Sequence, residues 1–310
     1  MRGKVARAPA GESKMNTFSN LLPTLFKDPP PKYAFELSEA GIAFTTFGSS
    51  RDIKFEPLEP GVISTSPVRD NIQMPDALEA RVRAIAPPNG HRKRRAALIL
   101  PDYSARVAVL DFDAFPSVHE EQLALVRFRM KKSVPFDVDS AILSYHAQPA
   151  ASGKKIEVVV AVIAFEIIAR YEAPFRQAAF HPGFITTSAL AALNLVKPDR
   201  VSLLAKLSGR SLSVLVLDGS TLKLARCMEM EDGSPAEMES ILHPTFVYIE
   251  DEMQSKASRL VLCGFGPEAA DLSTRWQTEW GIQVETLQSR FGIPGPGNAG
   301  LLGYLESVGG

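Results

Sequence analysis

The chain has 310 residues, 45% hydrophobic and 22% charged, with 34 basic against 35 acidic side chains. That length allows two domains or one divided core, and the composition is that of an ordinary folded domain in water. A net charge of −1 gives no global attraction to nucleic acid, so any basic surface must be local.

The N-terminal 14 residues scatter Arg2, Lys4, Arg7 and Lys14 among Ala, Gly and Pro and read as a disordered tail, with Met15 as the functional start. No apolar signal-peptide core is visible there. Phe18, Leu21, Leu22, Leu25 and Phe26 form a short apolar cluster closed by Pro29, Pro30 and Pro31. Pro23 interrupts any long amphipathic face, so a turn packed on the core is expected rather than a membrane-touching segment.

Residues 33–47 read as a hairpin turning between Ser38 and Gly41, and residues 51–66 as further edge strands. Leu78, Val82 and Ile85 mark an amphipathic helix over 74–86, with Pro75 tolerated in its first turn. Residues 87–95 carry His91, Arg92, Lys93, Arg94 and Arg95. Without interleaved aromatics they read as a solvated loop rather than a nucleic-acid or lipid site. A core strand follows over 96–100.

The stretch 117–146 reads as helix, corner and strand. Ser117 and Glu120 have the spacing of a capping box. Leu123, Val126 and Met130 line one helix face, and Arg129, Lys131 and Lys132 suit the negative end of its dipole. Pro135 ends the helix, and Phe136 and Val138 begin a strand running through Ile142, Leu143 and Tyr145. Residues 157–165 read as a buried strand and 166–179 as a helix with Ile168, Tyr171 and Phe175 on one side, bent at Pro174. His181, Pro182 and Gly183 then mark an exit, followed by a short helix over 188–196.

Three alternating strands at 201–207, 211–217 and 222–230 form a meander with turns at 208–210 and 218–220. A helix over 235–254, interrupted at His243 and Pro244, buries Leu242, Phe246, Ile249 and Met253. Strand 259–263 leads into Gly264, Phe265 and Gly266. Trp276 and Trp280 share a helix face as core packing, and 299–305 is a last helix.

Several chemistries find no support. Val158 to Phe165, the longest apolar run, is far short of the ~20 residues of a membrane span. The five histidines, at 91, 119, 146, 181 and 243, lack metal-ligand spacing, so no metal site is expected. No G-x-S-x-G elbow or P-loop lysine is present. Cys227 and Cys263 sit in apolar strands and read as buried, reduced thiols of a cytosolic protein.

The Val-Pro-Phe-Asp corner at 134–137, LPDYSARVAVLDFDAFP at 100–116, KIEVVVAVIAFEIIARYEAPFRQAAF at 155–180 and ITTSALAALNLV at 185–196 resemble, as an ordered series, the PilM group. These are actin-like proteins of the type IV pilus inner-membrane platform, related to the division protein FtsA. The resemblance covers most of 33–310. It implies an α/β (α+β) fold: an actin-like, ribonuclease H-like pair of lobes with an inserted β-α-β subdomain and a reduced helical subdomain in the second lobe. It also implies boundaries: a short segment over 1–31, the first lobe over 32–110, the insert over 111–182 and a return to the first lobe over 183–198. The second lobe then spans 199–296, and a closing helix spans 297–310.

On the same resemblance the first hairpin is a phosphate loop, with Glu36 at its acidic position, Ser38 at a glycine position and Ala43 where a lysine is usual. The second loop falls at Asp218, Gly219, Ser220 and Thr221, with Val216 at the strand-acid position. Gly264 and Gly266 match an adenosine motif whose middle position is filled by Phe265. Each loop lacks a glycine that would let backbone approach a phosphate. The expectation is therefore a scaffold with no cofactor and no catalytic residue; the alternative is an ATP-binding switch in which Glu36 and Asp218 hold magnesium. The implied partner is the cytoplasmic N-terminal peptide of a PilN-like single-pass membrane protein. It would be gripped near the junction of core and insert, with Arg127, Arg129, Lys131 and Phe136 as the guessed contacts. Self-association or a pilus motor ATPase are further implied partners, and nucleic acid is not. The location implied is cytoplasmic, peripheral to the inner membrane. A cytoplasmic type II secretion component is a further alternative.

Overall fold

A computed structural model describes residues 30–46, 53–87, 93–149 and 155–309. The expected tail, the apolar cluster at 18–26, His91 and Arg92 lie outside them. Strands β1 (Tyr33–Leu37) and β2 (Gly41–Thr46) form the expected antiparallel hairpin, and β3 (Lys54–Pro57) pairs along β2. Strand β4 (Arg94–Leu100) runs parallel to β1, and β8 (Phe180–Thr187) parallel to β4, giving the order β3-β2-β1-β4-β8. Helices α1 (Pro75–Ile85) and α3 (Phe165–Gln177) cover one face. Leu78, Val82, Ile167, Tyr171 and Phe175 pack there on Phe35, Leu98 and Phe180. Arg94, from the basic cluster, is structural: it donates to the Ala86 and Ala178 carbonyls and lies 3.9 Å from the Phe180 ring centroid.

The second lobe repeats this plan. Its strands are β9 (Asp199–Ser208), β10 (Ser211–Gly219), β11 (Thr221–Glu229), β12 (Arg259–Cys263) and β13 (Gln283–Thr286). Their order is β11-β10-β9-β12-β13, with the same alternation of antiparallel and parallel neighbours as the first sheet. Helices α5 (Pro235–Asp251) and α6 (Ala269–Trp280) pack on it. Trp276 is fully buried, stacked on Trp280 at 5.1 Å, and donates through Nε1 to Glu239 at 2.8 Å. Between the lobes lie α4 (Ser188–Ala192) and the last helix, α7 (Ala299–Gly309). Ala189, Ala192, Leu193, Leu204, Leu215, Val261 and Ala299 join both lobes in one interlobe core.

The insert consists of β5 (Arg106–Phe112), α2 (His119–Met130), β6 (Ala141–Ala147) and β7 (Ile156–Ala164), with strand order β5-β7-β6. Strand side chains alternate between faces. Val158 and Val160 therefore meet Val126 and Met130 of α2, while Val159 joins the interlobe core.

Several expectations are corrected. No Ser117 cap forms: Val118 occupies the N-cap of α2, and Gln122 holds the helix entry by donating to the Pro116 carbonyl at 2.6 Å. Phe136 and Val138 lie in a loop, not a strand, because Arg127 donates to the Val138 carbonyl and Lys131 pairs with Asp139 at 2.7 Å. Helix α3 packs in the first-lobe core, so the insert ends with β7. His181, Pro182 and Gly183 lie within strand β8 rather than in an exit from the insert, since an edge strand tolerates proline. Helix α5 runs unbroken through Pro244. Its start is well capped: Ser234 accepts from Glu237 N at 3.2 Å, and the Glu237 carboxylate accepts from the backbone at Glu231, Asp232 and Gly233. Among the described residues 53–66 only β3 is a strand, beyond an isolated bridge between Ile63 and Ile72.

Helix α7 approaches α4 through Gly303, where any Cβ would overlap the Ala191 carbonyl. Gly303→Ala should therefore destabilise the fold by about 1–3 kcal/mol, the usual range for overpacking. A urea-unfolding midpoint equal to the parent's would show that α7 does not need this close approach.

Candidate functional site: the cleft between the lobes

A cleft of about 420 Å³ opens between the lobes. The first lobe lines it with Ser38, Glu39 and Pro101, and the second with Ser208, Gly209 and Gly295. The duplicated strand order shows which residues face each other across it. In the first lobe Glu36 lies on β1 opposite Ala43 of β2 and Ile99 of β4, two residues before Ser38 closes the hairpin. In the second, Lys206 lies on β9 opposite Ser213 of β10 and Cys263 of β12, two residues before Ser208 closes its hairpin. Glu-Leu-Ser at 36–38 and Lys-Leu-Ser at 206–208 are therefore equivalent positions.

This corrects the expected second loop. Asp218, Gly219, Ser220 and Thr221 form the β10–β11 turn at the far end of the meander, with Asp218 exposed and paired in register to Val201. The topological counterpart of the β1–β2 turn is the β9–β10 turn, where Lys206 stands at the position of Glu36.

The Lys206 ammonium lies 3.0 Å from Asp102 Oδ2, with both side chains buried. Asp102 Oδ1 accepts from Ala189 N at 2.6 Å, tying the pair to the first turn of α4. Burial opposes the lysine charge, but Asp102 and Glu36 overcome it and raise the pKa above the ordinary lysine value. Glu36, 1% exposed, turns into the first lobe: its carboxylate accepts from the Ser188 hydroxyl and, at 2.6 Å, from Leu301 N in the first turn of α7. Burial raises its pKa, outweighing the Lys206 charge and both hydrogen bonds. Ser38 spends its hydroxyl on the turn, donating to Gly41 O at 3.0 Å.

Of the two glycines expected in an adenosine motif, Gly264 serves the chain's own packing. Gly264 has φ +84°, and a Cβ there would overlap the Leu207 carbonyl, so the residue lets two backbone segments touch. Phe265 turns into the second-lobe core, edge-on to Trp276 at 6.0 Å. Gly266, at φ +56°, faces open space. Among the described residues no cluster of His, Cys, Asp and Glu is arranged to hold a metal ion, and both cysteines are free thiols.

A second, apolar groove of about 350 Å³ runs between the insert and the first lobe, lined by Ile142, Ala161, Ile163, Phe184, Leu190 and Tyr304. It is flanked by β6 and β8, the end strands of their sheets. His146 also lines it, with its pKa lowered by burial. The guessed partner residues are not brought there. Arg127, Arg129, Lys131 and Phe136 belong to α2 and the loop after it, on the opposite face of β7. Arg127 and Lys131 brace that loop, Arg129 lies 5.3 Å from the Phe112 ring centroid, and Phe136 packs on the insert's core.

Two lobes of duplicated topology meeting at a cleft, with a β-α-β-β insert on the first, define an actin-like fold. Comparison with solved structures agrees. A PilM-PilN type IV pilus biogenesis complex superposes with a TM-score of 0.69 at 17% identity, covering 91% of this chain and 99% of that one. The cytoplasmic domain of EpsL, an inner-membrane component of the type II secretion system of Vibrio cholerae, gives 0.50 at 13% identity, covering 90% and 94%. No family model matches the chain, and no curated protein matches it by sequence. The expected fold is thereby established. No helix among the described residues is long and apolar enough to cross a membrane.

Two measurements test the cleft. Lys206→Met strands a buried carboxylate and should cost about 3–5 kcal/mol in urea unfolding; adding Asp102→Asn should recover most of it. A single-variant loss below ~1 kcal/mol would mean the pair is solvated. For Glu36, a raised folded pKa means its contribution is complete below about pH 4.5 and is lost as pH rises through the folded value. Glu36→Gln should therefore gain stability relative to the parent between pH 4 and pH 7. A difference constant across that window would refute the assignment.

Proposed function

We propose that this protein is a non-catalytic, actin-like scaffold of a type IV pilus or related secretion platform, working in the cytoplasm against the inner membrane. The observation that carries the reading is the place of Lys206. Where the duplicated fold would set a second acid beside a nucleotide-bound cation, this chain supplies the cation itself, already neutralised by Asp102. Magnesium at that spot would meet an ammonium, and close like charges repel strongly where little water screens them. Glu36 is likewise committed to Ser188 and α7.

The partner we infer is an extended, apolar peptide from the cytoplasmic end of a PilN-like single-pass membrane protein, a reading supported by the fold this chain shares with a PilM-PilN complex. The groove between insert and first lobe fits it. An extended segment can add along the open edge of β6 or β8, gaining main-chain hydrogen bonds, while its apolar side chains enter the groove.

A synthetic peptide copying the cytoplasmic N-terminal head of a PilN-like membrane protein provides the test, read by fluorescence anisotropy. Ile142→Glu places a charge on the half-exposed groove wall and should weaken binding at least tenfold, while Arg129→Ala should leave it unchanged. The opposite pattern would return the partner surface to α2.

A further inference from the structure

Helix α2 is apolar on two sides. Val126 and Met130 are buried against the insert's sheet, in a core made by insert residues alone. On the other side a second row runs Val118, Glu121, Leu125, Phe128, Lys132, the last in the turn that closes the helix. Alternating steps of three and four residues keep this row on one face, the spacing of a seam between two helices. Phe128 is 67% exposed and Val118 46%, with Leu125 half-buried beside them. Apolar residues scattered singly over a surface need no explanation, but a continuous row marks an interaction site.

The charges on this row are unspent, while those beside it are committed. Lys131 pairs with Asp139, Arg127 donates to the Val138 carbonyl, and Arg129 lies over the Phe112 ring. Glu121 and Lys132 enter no ion pair with another described residue.

The order of residues along the row selects what covers it. An antiparallel second copy, related by a two-fold axis passing between Val126 and Arg127, sets Glu121 of one copy against Lys132 of the other. The same axis sets Leu125 against Phe128, and each contact occurs twice. A two-fold interface requires just this self-complementarity, one patch meeting its own copy. A parallel pairing would instead place Glu121 on Glu121 and Lys132 on Lys132, and like charges disfavour it.

We propose that the outer face of α2 is a homodimer seam, closed by antiparallel pairing with α2 of a second copy. Helices this short cover less than the ~1,200 Å² of a stable interface, so the dimer is weak and reversible. The pairing closes at two copies instead of growing into a filament. It lies on the opposite side of the insert from the apolar groove, leaves that groove open and does not rest on the scaffold reading.

Analytical ultracentrifugation of the full chain from about 5 to about 500 µM, the range of weak association, tests the seam. A reversible monomer–dimer equilibrium with no larger species is expected. Phe128→Glu should weaken it at least tenfold. Glu121→Lys, which sets two lysines together, should do the same, and adding Lys132→Glu should restore the parent's association. Ile142→Glu, on the groove wall, should leave it unchanged. All these positions are exposed, and circular dichroism checks that each variant is folded; if Phe128→Glu is not, the charge exchange decides alone. A chain monomeric at every concentration would leave the row to a different partner and overturn the proposal. Assembly beyond the dimer, association retained by Phe128→Glu, or a charge exchange that fails to restore it would overturn it too.

Discussion

The ion pair between Asp102 and Lys206 holds the two halves of this molecule in register. Its members are 104 residues apart in sequence and 3.0 Å apart in space, and each is almost wholly withdrawn from water. Such a pair adds little net stability compared with a well-packed apolar contact, but losing one partner is expensive. Its effect is on geometry. The lobes can meet only where the ammonium reaches the carboxylate, and Asp102 in turn fixes the start of α4. Glu36 does the same on the neighbouring strand, fastening α4 and α7 to the first sheet.

The joint between the lobes is made by side chains and by the apolar contacts of α4, α7, β9 and β10. On the proposed reading it holds without a nucleotide. Gly264 and Gly303 serve close backbone packing rather than open loops. The insert remains free to offer the other face of β7, with β6 and β8, as a groove.

Most of the architecture was legible in the sequence, because strand alternation and helix periodicity are local. The hairpin at 33–46, the meander, the buried β7 and the tryptophan pair needed only patterning and turn residues. What escaped was set by distant contacts. The membership of α3 in the first lobe depends on Tyr171 and Phe175 meeting Phe35 and Phe180. The continuity of α5 depends on buried neighbours overriding Pro244. Lys206 was hidden for a different reason: one lysine in an apolar strand resembles any half-buried position. The available signal was the identical spacing of Glu-Leu-Ser and Lys-Leu-Ser before two tight hairpins. It becomes decisive only when the repeated strand order shows that the two strands are counterparts. Without that order, Asp218 drew attention simply by being an acid beside a glycine.

The central claim is that a lysine occupies the cation's place, and calorimetric titration of the full chain with ATP and magnesium tests it most directly. The account predicts no heat of binding at millimolar nucleotide, with or without the metal. Saturable, magnesium-dependent heat at micromolar nucleotide would contradict it.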